Sequence, residues 1–155
     1  MFKKSLLIVF CCSLIACAPA FAKGKPAVSS LEIRQMQTRT YDVKDKKELM
    51  EAIVNVLQDR DYLISESSYN LGVISGYKEC KEKTFMGSQY VRYETSVQIN
   101  DLTSKSYKVR TNFSKKNMDP MGSVTTQIDI PNPEEFYREF FTQLSKSLFI
   151  ESQGI

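Results

Sequence analysis

Histidine is absent from the 155 residues. That removes the Ser-His-Asp and Cys-His pairs of nucleophilic catalysis, along with the commonest transition-metal ligand. Cysteine is scarce. Three of the four, Cys11, Cys12 and Cys17, fall in the first 17 residues, and the fourth is Cys80. They give neither a disulfide framework nor a metal-ligand spacing. Gly72, Gly76, Gly87 and Gly122 form no phosphate-cradling loop. No internal repeat of fixed period and no low-complexity block occurs. Beyond the first 16 residues, no apolar run approaches the length of a membrane-spanning helix. Net charge is low as well: the formal value is +3, and setting aside Lys3 and Lys4 leaves 19 basic against 18 acidic residues. A nucleic-acid binder needs a concentrated basic face, and none is expected here. A strongly electrostatic membrane binder is disfavoured on the same ground.

What remains has a globular composition, with 42% hydrophobic and 25% charged residues. Residues 1–16 read as a signal peptide, with Lys3 and Lys4 as its positive start and Leu6 to Ala16 as a short apolar core. It ends in Leu14-Ile15-Ala16-Cys17, which resembles a lipobox, the bacterial signal in which the cysteine is acylated and becomes the first mature residue. Cys17 is therefore the expected lipidation site. Ala20-Phe21-Ala22 before Lys23 competes as an ordinary secretory cleavage site, which would yield a soluble periplasmic protein. Alanine at position 18 resembles outer-membrane retention. Residues 17–30 read as a flexible tether after the lipidated cysteine, reaching roughly 45–50 Å when extended.

Residues 31–155 are expected to form one α+β domain. A first strand is expected within Leu31 to Val43. Asp45 and Glu48 have capping-box spacing, and Leu49, Met50, Ile53, Val54, Val56 and Leu57 repeat at helical intervals up to Asp59-Arg60-Asp61. Tyr62 to Glu66 and Gly72 to Lys78 read as a hairpin around Ser67 to Asn70. Gln89 to Asn100 and Ser106 to Ser114 alternate, with Val91, Tyr93, Thr95, Val97, Ile99, Tyr107, Val109, Thr111 and Phe113 on the dry face. A turn at Asp119 to Gly122 leads to a strand over Ser123 to Ile130. Asn132, Pro133 and Glu135 open a last helix, whose stripe is Phe136, Tyr137, Phe140, Phe141, Leu144, Leu148 and Phe149. The expectation is an antiparallel sheet of four to five strands with two helices packed on one face, in the order β-α-β-β-β-β-β-α.

No residue set suggests catalysis, and no cofactor or metal is expected. Cys80, with lysines at 78, 81 and 83, reads as a solvent-facing strand-end thiol with incidental neighbours. Asp42/Asp45, Asp59/Asp61 and Glu134/Glu135 read as caps and solvated faces. The candidate partner-binding residues are Tyr69 and Leu71 at the hairpin tip, and Arg92, Lys108 and Arg110 on the wet sheet face beside Lys115 and Lys116. The leading expectation is a non-catalytic accessory lipoprotein that binds another envelope protein. The alternative, a periplasmic small-molecule or lipid-binding module, requires a cavity lined by Tyr93, Phe113 and Phe136.

Three stretches carry a resemblance. They are Gln37-Thr38-Arg39-x-Tyr41-Asp42; Val56-Leu57-Gln58-Asp59 with Leu71-Gly72-x-Ile74; and Phe140-Phe141-x-x-Leu144-Ser145-Lys146-Ser147-x-Phe149. Together they resemble a group of bacterial envelope lipoproteins of uncharacterised function. The layout of a helix followed by a strand pair is similar, more loosely, to repeats of the BamC lipoprotein of the outer-membrane assembly machinery. Neither resemblance implies catalytic residues. The chain departs from the pattern at Arg60-Asp61-Tyr62, where an Asp-Gly-Phe type turn is expected.

Overall fold

Alternating burial along two long strands sets the layout of the molecule in the computed structural model, which describes residues 29–85 and 87–153. The signal peptide, Cys17, Ala22 and the tether as far as residue 28 lie outside the described residues. The elements run α1 (Ser30–Met36), β1 (Thr38–Asp42), α2 (Lys46–Asp59), β2 (Leu63–Ser68), β3 (Val73–Thr84), β4 (Gly87–Asp101), β5 (Ser106–Met118), β6 (Val124–Ile128) and α3 (Pro133–Ser152). The α+β class, the antiparallel sheet and the helices on one face are as the sequence predicts.

One antiparallel sheet takes in all six described strands, in the order β1-β5-β4-β3-β2, with β6 also on β5. Strand β4 occupies one edge of β5 throughout. The other edge is shared: β1 pairs with residues 106–110 and β6 with residues 115–118. Between them the Thr111 N–H donates to the Gln37 carbonyl (2.9 Å), and the Phe113 N–H donates to the Tyr137 hydroxyl of α3 (3.3 Å). The Gln37 amide also donates to the Tyr137 hydroxyl (3.0 Å) and to Asn112 Oδ1 (3.1 Å). A helix side chain thus fills the place of a missing strand, and buried backbone groups stay paired as they must.

The dry face carries Ile74, Val97, Ile99, Val109 and Phe113, packed against Leu49, Ile53, Val56 and Leu57 of α2 and Phe140, Phe141 and Leu144 of α3. Each such side chain contributes roughly 1.5–3 kcal/mol on burial. Helix α2 starts where predicted, with Asp45 accepting from the Glu48 N–H at 2.9 Å; the return bond from Glu48 to the Asp45 backbone, the other half of a capping box, is not formed. It ends in a Schellman arrangement. The Tyr62 N–H donates to the Leu57 carbonyl, the Asp61 N–H donates to the Gln58 carbonyl, and Asp61 is left-handed at φ 65°.

Several expectations need correction. The first stretch is not all strand: Ser30–Met36 is helical, because Ser29 and Glu32 close a capping box in both directions. Ser29 and Ser30 therefore belong to the domain and not to the tether. The sheet has more strands than four to five, and β3 and β5 extend to Thr84 and Met118. Asn132 does precede α3, but it sits at φ 48° with no side-chain capping bond, while Glu135 pairs with Arg138 instead. Phe149 leaves the apolar stripe and is exposed.

Candidate docking surface

The β2–β3 tip is tightly built. The Gly72 N–H donates to the Tyr69 carbonyl (3.2 Å), and the Gly72 carbonyl accepts from the Ile99 N–H (2.7 Å). Gly72 has φ +63°, and a Cβ there would run into the Ile99 carbonyl oxygen, so both backbone conformation and space demand glycine. Ser68 Oγ accepts from the Leu71 N–H at 3.4 Å. The Lys46 ammonium stands 5.7 Å over the Tyr69 ring and 3.6 Å from Asp101. Tyr69 and Leu71 are thereby presented outward, at 55% and 69% exposure. The neighbouring β4–β5 turn adds Leu102, at 53%. The sequence reading missed Leu102, whose only signal is a large apolar residue inside a polar turn.

Tyr69 lines two grooves. One runs along the outer flank of α2 with Met50, Val54, Asn55 and Ser67. The other lies between Lys46, Asp101, Leu102 and Tyr107. A third and larger open groove, about 1160 Å³, separates Val43, Lys44 and Glu48 from Leu148 and Phe149 at the end of α3. All three meet at the end of the molecule that holds the start of α2.

The five candidate partner-binding residues do not all come together. Arg110 lies opposite Gln98 and Lys108 opposite Asn100 on β4. These are the sheet rows that lead to the Tyr69/Leu71 tip, two strands and about 10 Å away. The ion pairs among the described residues leave Lys108 and Arg110 without a carboxylate partner. Arg92 lies six residues further along β4, about 20 Å off. Its Nε donates to Glu79 Oε1 at 2.9 Å, and its guanidinium is 5.1 Å from the Tyr77 ring. Lys116 pairs with Glu94 on the same wet face. A continuous basic patch is therefore absent among the described residues, because its centre is neutralised.

Lys115 points to the other face. Its ammonium donates to Glu82 Oε2 (2.6 Å), while the Tyr93 hydroxyl donates to Glu82 Oε1 (2.6 Å). Burial alone raises the Glu82 pKa, but the hydrogen bonds from Lys115 and Tyr93 and the Lys115 charge outweigh it and hold the carboxyl below its ordinary range. Burial likewise lowers Lys115, and the Glu82 and Tyr93 contacts reverse this and raise it. The rings that a ligand cavity would need apart are packed together: Phe113 and Phe136 centroids are 4.9 Å apart, and Tyr93 stacks on Phe136 at 6.2 Å. This counts against the small-molecule alternative. Cys80 is exposed but sits within β3, opposite Val91, and not at a strand end. The Lys78 ammonium donates to the Arg60 carbonyl at 3.1 Å. Among the described residues no three acidic, cysteine or histidine side chains group as metal ligands.

No protein-family model matches the chain, and no curated protein matches it in sequence. Three solved structures are similar to it in shape. The first is the adenylate sensor from AMP-activated protein kinase, in complex with a ribofuranotide, at 12% identity and TM-score 0.45, over 72% of this chain and 94% of that one. The second is a TBP-like protein from Parabacteroides distasonis at 12% identity and TM-score 0.40, over 72% and 90% of the two chains. The third is a DUF4468 family protein from Bacteroides ovatus at 8% identity and TM-score 0.43, over 72% and 84%. Likeness at this level carries no argument about activity, so the surface is interpreted from its own geometry.

Proposed function

We propose that the chain is a lipid-anchored bacterial envelope protein without a catalytic site, and that it docks on another envelope protein through the Tyr69/Leu71 tip. The anchor is supported by Leu14-Ile15-Ala16-Cys17. Docking is carried by one observation: two large apolar side chains stand exposed on a tip whose backbone is fixed by Gly72, Ser68 and Ile99. Such a tip loses little conformational entropy on binding, and tyrosine is one of the residue types that most often anchor an interface. Lys108 and Arg110 add unneutralised charge on the adjoining rows, which favours an acidic rim on the partner and a faster encounter.

A photo-crosslinking amino acid at position 71, introduced in cells, tests the docking. One reproducible adduct is expected there, none with the label at Gln127 in β6, and a weaker one with Tyr69→Ala. Absence of an adduct at position 71, or equal labelling from both positions, removes this reading. The anchor is tested separately. Incorporation of a palmitate analogue is expected in the native chain and not in Cys17→Ser, whereas an unlabelled native chain points to cleavage after Ala22.

A further inference from the structure

We infer that the opposite end of the sheet is a membrane-contact surface, where the tips carrying Phe85 and Met121 enter the headgroup–acyl boundary of an anionic bilayer. Phe85 and Met121 are the most exposed large apolar residues described, at 107% and 95%. Register puts them at one end. Tyr90 pairs with Met118, the last residue of β5, and Met121 lies in the turn that follows. The β3–β4 hairpin continues past that row to the Thr84/Gly87 pair, about 10 Å further, with Phe85 at its tip. The second tip is held by Asp119, whose Oδ1 accepts from the Met121 and Ser123 N–H groups at 2.9 and 2.8 Å.

The charge around the tips fits an anionic surface. Glu79, Glu82 and Glu94 are each paired, with Arg92, Lys115 and Lys116. Lys81 and Lys83 on the hairpin stem have no carboxylate partner among the described residues, and they outnumber Asp119. The Lys81 ammonium stands 5.3 Å over the Tyr90 ring, which is itself half exposed. Apolar tips with tyrosine and lysine behind them match the order of a bilayer boundary, where aromatic rings and long cations sit at headgroup depth. The apolar groups stand on two convex projections, which suit a soft, flat surface. The inference rests on the envelope reading in one respect: a tether from Cys17 to the Ser29 cap, roughly 40 Å when extended, keeps the tips near the membrane, so a weak contact suffices.

The chain has eight tyrosines and no tryptophan, so Phe85→Trp introduces a single indole, whose emission is read by exciting at the red edge where tyrosine does not absorb. The protein is the chain from residue 17 with Cys17→Ser, which cannot be acylated and contains every described element. Vesicles of phosphatidylethanolamine and phosphatidylglycerol are expected to shift its emission to the blue, and phosphatidylcholine vesicles to do so less. Adding Met121→Ser is expected to weaken partitioning about tenfold. In a parallel Phe149→Trp chain, with the reporter at the far end, emission is expected to stay unchanged. An unshifted reporter at position 85, or equal shifts at 85 and 149, overturns the inference. A shift that needs no vesicles and grows with protein concentration also overturns it, and assigns the tips to a second copy of the chain. Equal shifts on both lipids overturn the choice of an anionic surface. Palmitate labelling plays no part in these outcomes, so failure here leaves the anchor standing, and failure of the anchor leaves these outcomes readable.

Discussion

Tyr137 is a side chain doing the work of a strand. Its hydroxyl accepts the Phe113 N–H, and Tyr137→Phe leaves that buried donor unpaired. A loss of about 1–3 kcal/mol is expected, read as a lower urea midpoint with an unchanged slope. Thr111 is the reverse case. It is fully buried, and its hydroxyl has no partner among the described residues. Thr111→Val is expected to raise stability by about 1 kcal/mol in the same titration. The Glu82–Lys115 pair supplies a pH signature. A depressed carboxyl contributes stability above its ordinary 4.5 and loses it as pH falls through the folded value. A raised ammonium contributes below its ordinary 10.5 and loses it as pH rises past that value. The stability gap between the native chain and Glu82→Gln is therefore expected to be flat near neutrality and to close in acid. A gap independent of pH down to 3 would count against the pair. Burial of single strand residues was legible beforehand, because alternation reports it directly. The Tyr137 bonds were not, since Phe113 and Gln37 lie 24 and 100 residues away and no local pattern links them.

At the level of elements, local signals were read well where the chain obeys one rule and badly where it obeys two. The α2 start rests on the Asp45/Glu48 spacing and forms where expected. From Leu31 to Val43, Ile33, Thr38, Thr40 and Tyr41 suggested strand throughout, while the Ser29/Glu32 box made Ser30–Met36 a helix. The Arg60-Asp61-Tyr62 turn was noted as a departure in which a glycine was expected at its centre. Its geometry gives the reason: Asp61 occupies the left-handed position of the Schellman end. Asp61→Gly is expected to raise the melting temperature, by the equivalent of about 0.5–1 kcal/mol. The β2–β3 tip responds in the opposite direction. Gly72→Ala is expected to raise the hydrogen-exchange rate of the Ile99 amide, which donates to the Gly72 carbonyl, and to reduce crosslinking at position 71.

For the whole molecule, the two proposed contact ends lie at opposite ends of the β3–β4 ribbon. Fifteen residues of β4 span about 50 Å, so the membrane and a partner can be held apart by one stiff element. The relation between the ends was not legible in the sequence. Phe85 fell in an unassigned stretch, because the reading stopped the third strand at Lys78, six residues short of its end at Thr84. Arg92 was grouped with Lys108 and Arg110 by alternation alone, which gives the face of a residue but not its place along the ribbon.

The shared edge of β5 also dictates an order of events. Gln37 and β1 arrive early in synthesis, β5 in the middle, and Tyr137 near the end. Until α3 has left the ribosome and any translocation channel, the Phe113 amide stays open and the apolar face of the sheet has only α2 to cover it. A chain stalled before residue 133 exposes that edge, the feature that templates aggregation in β proteins. Closure of the β5 edge therefore waits for the C-terminal helix, and the fold is completed last at the place where its sheet is open longest.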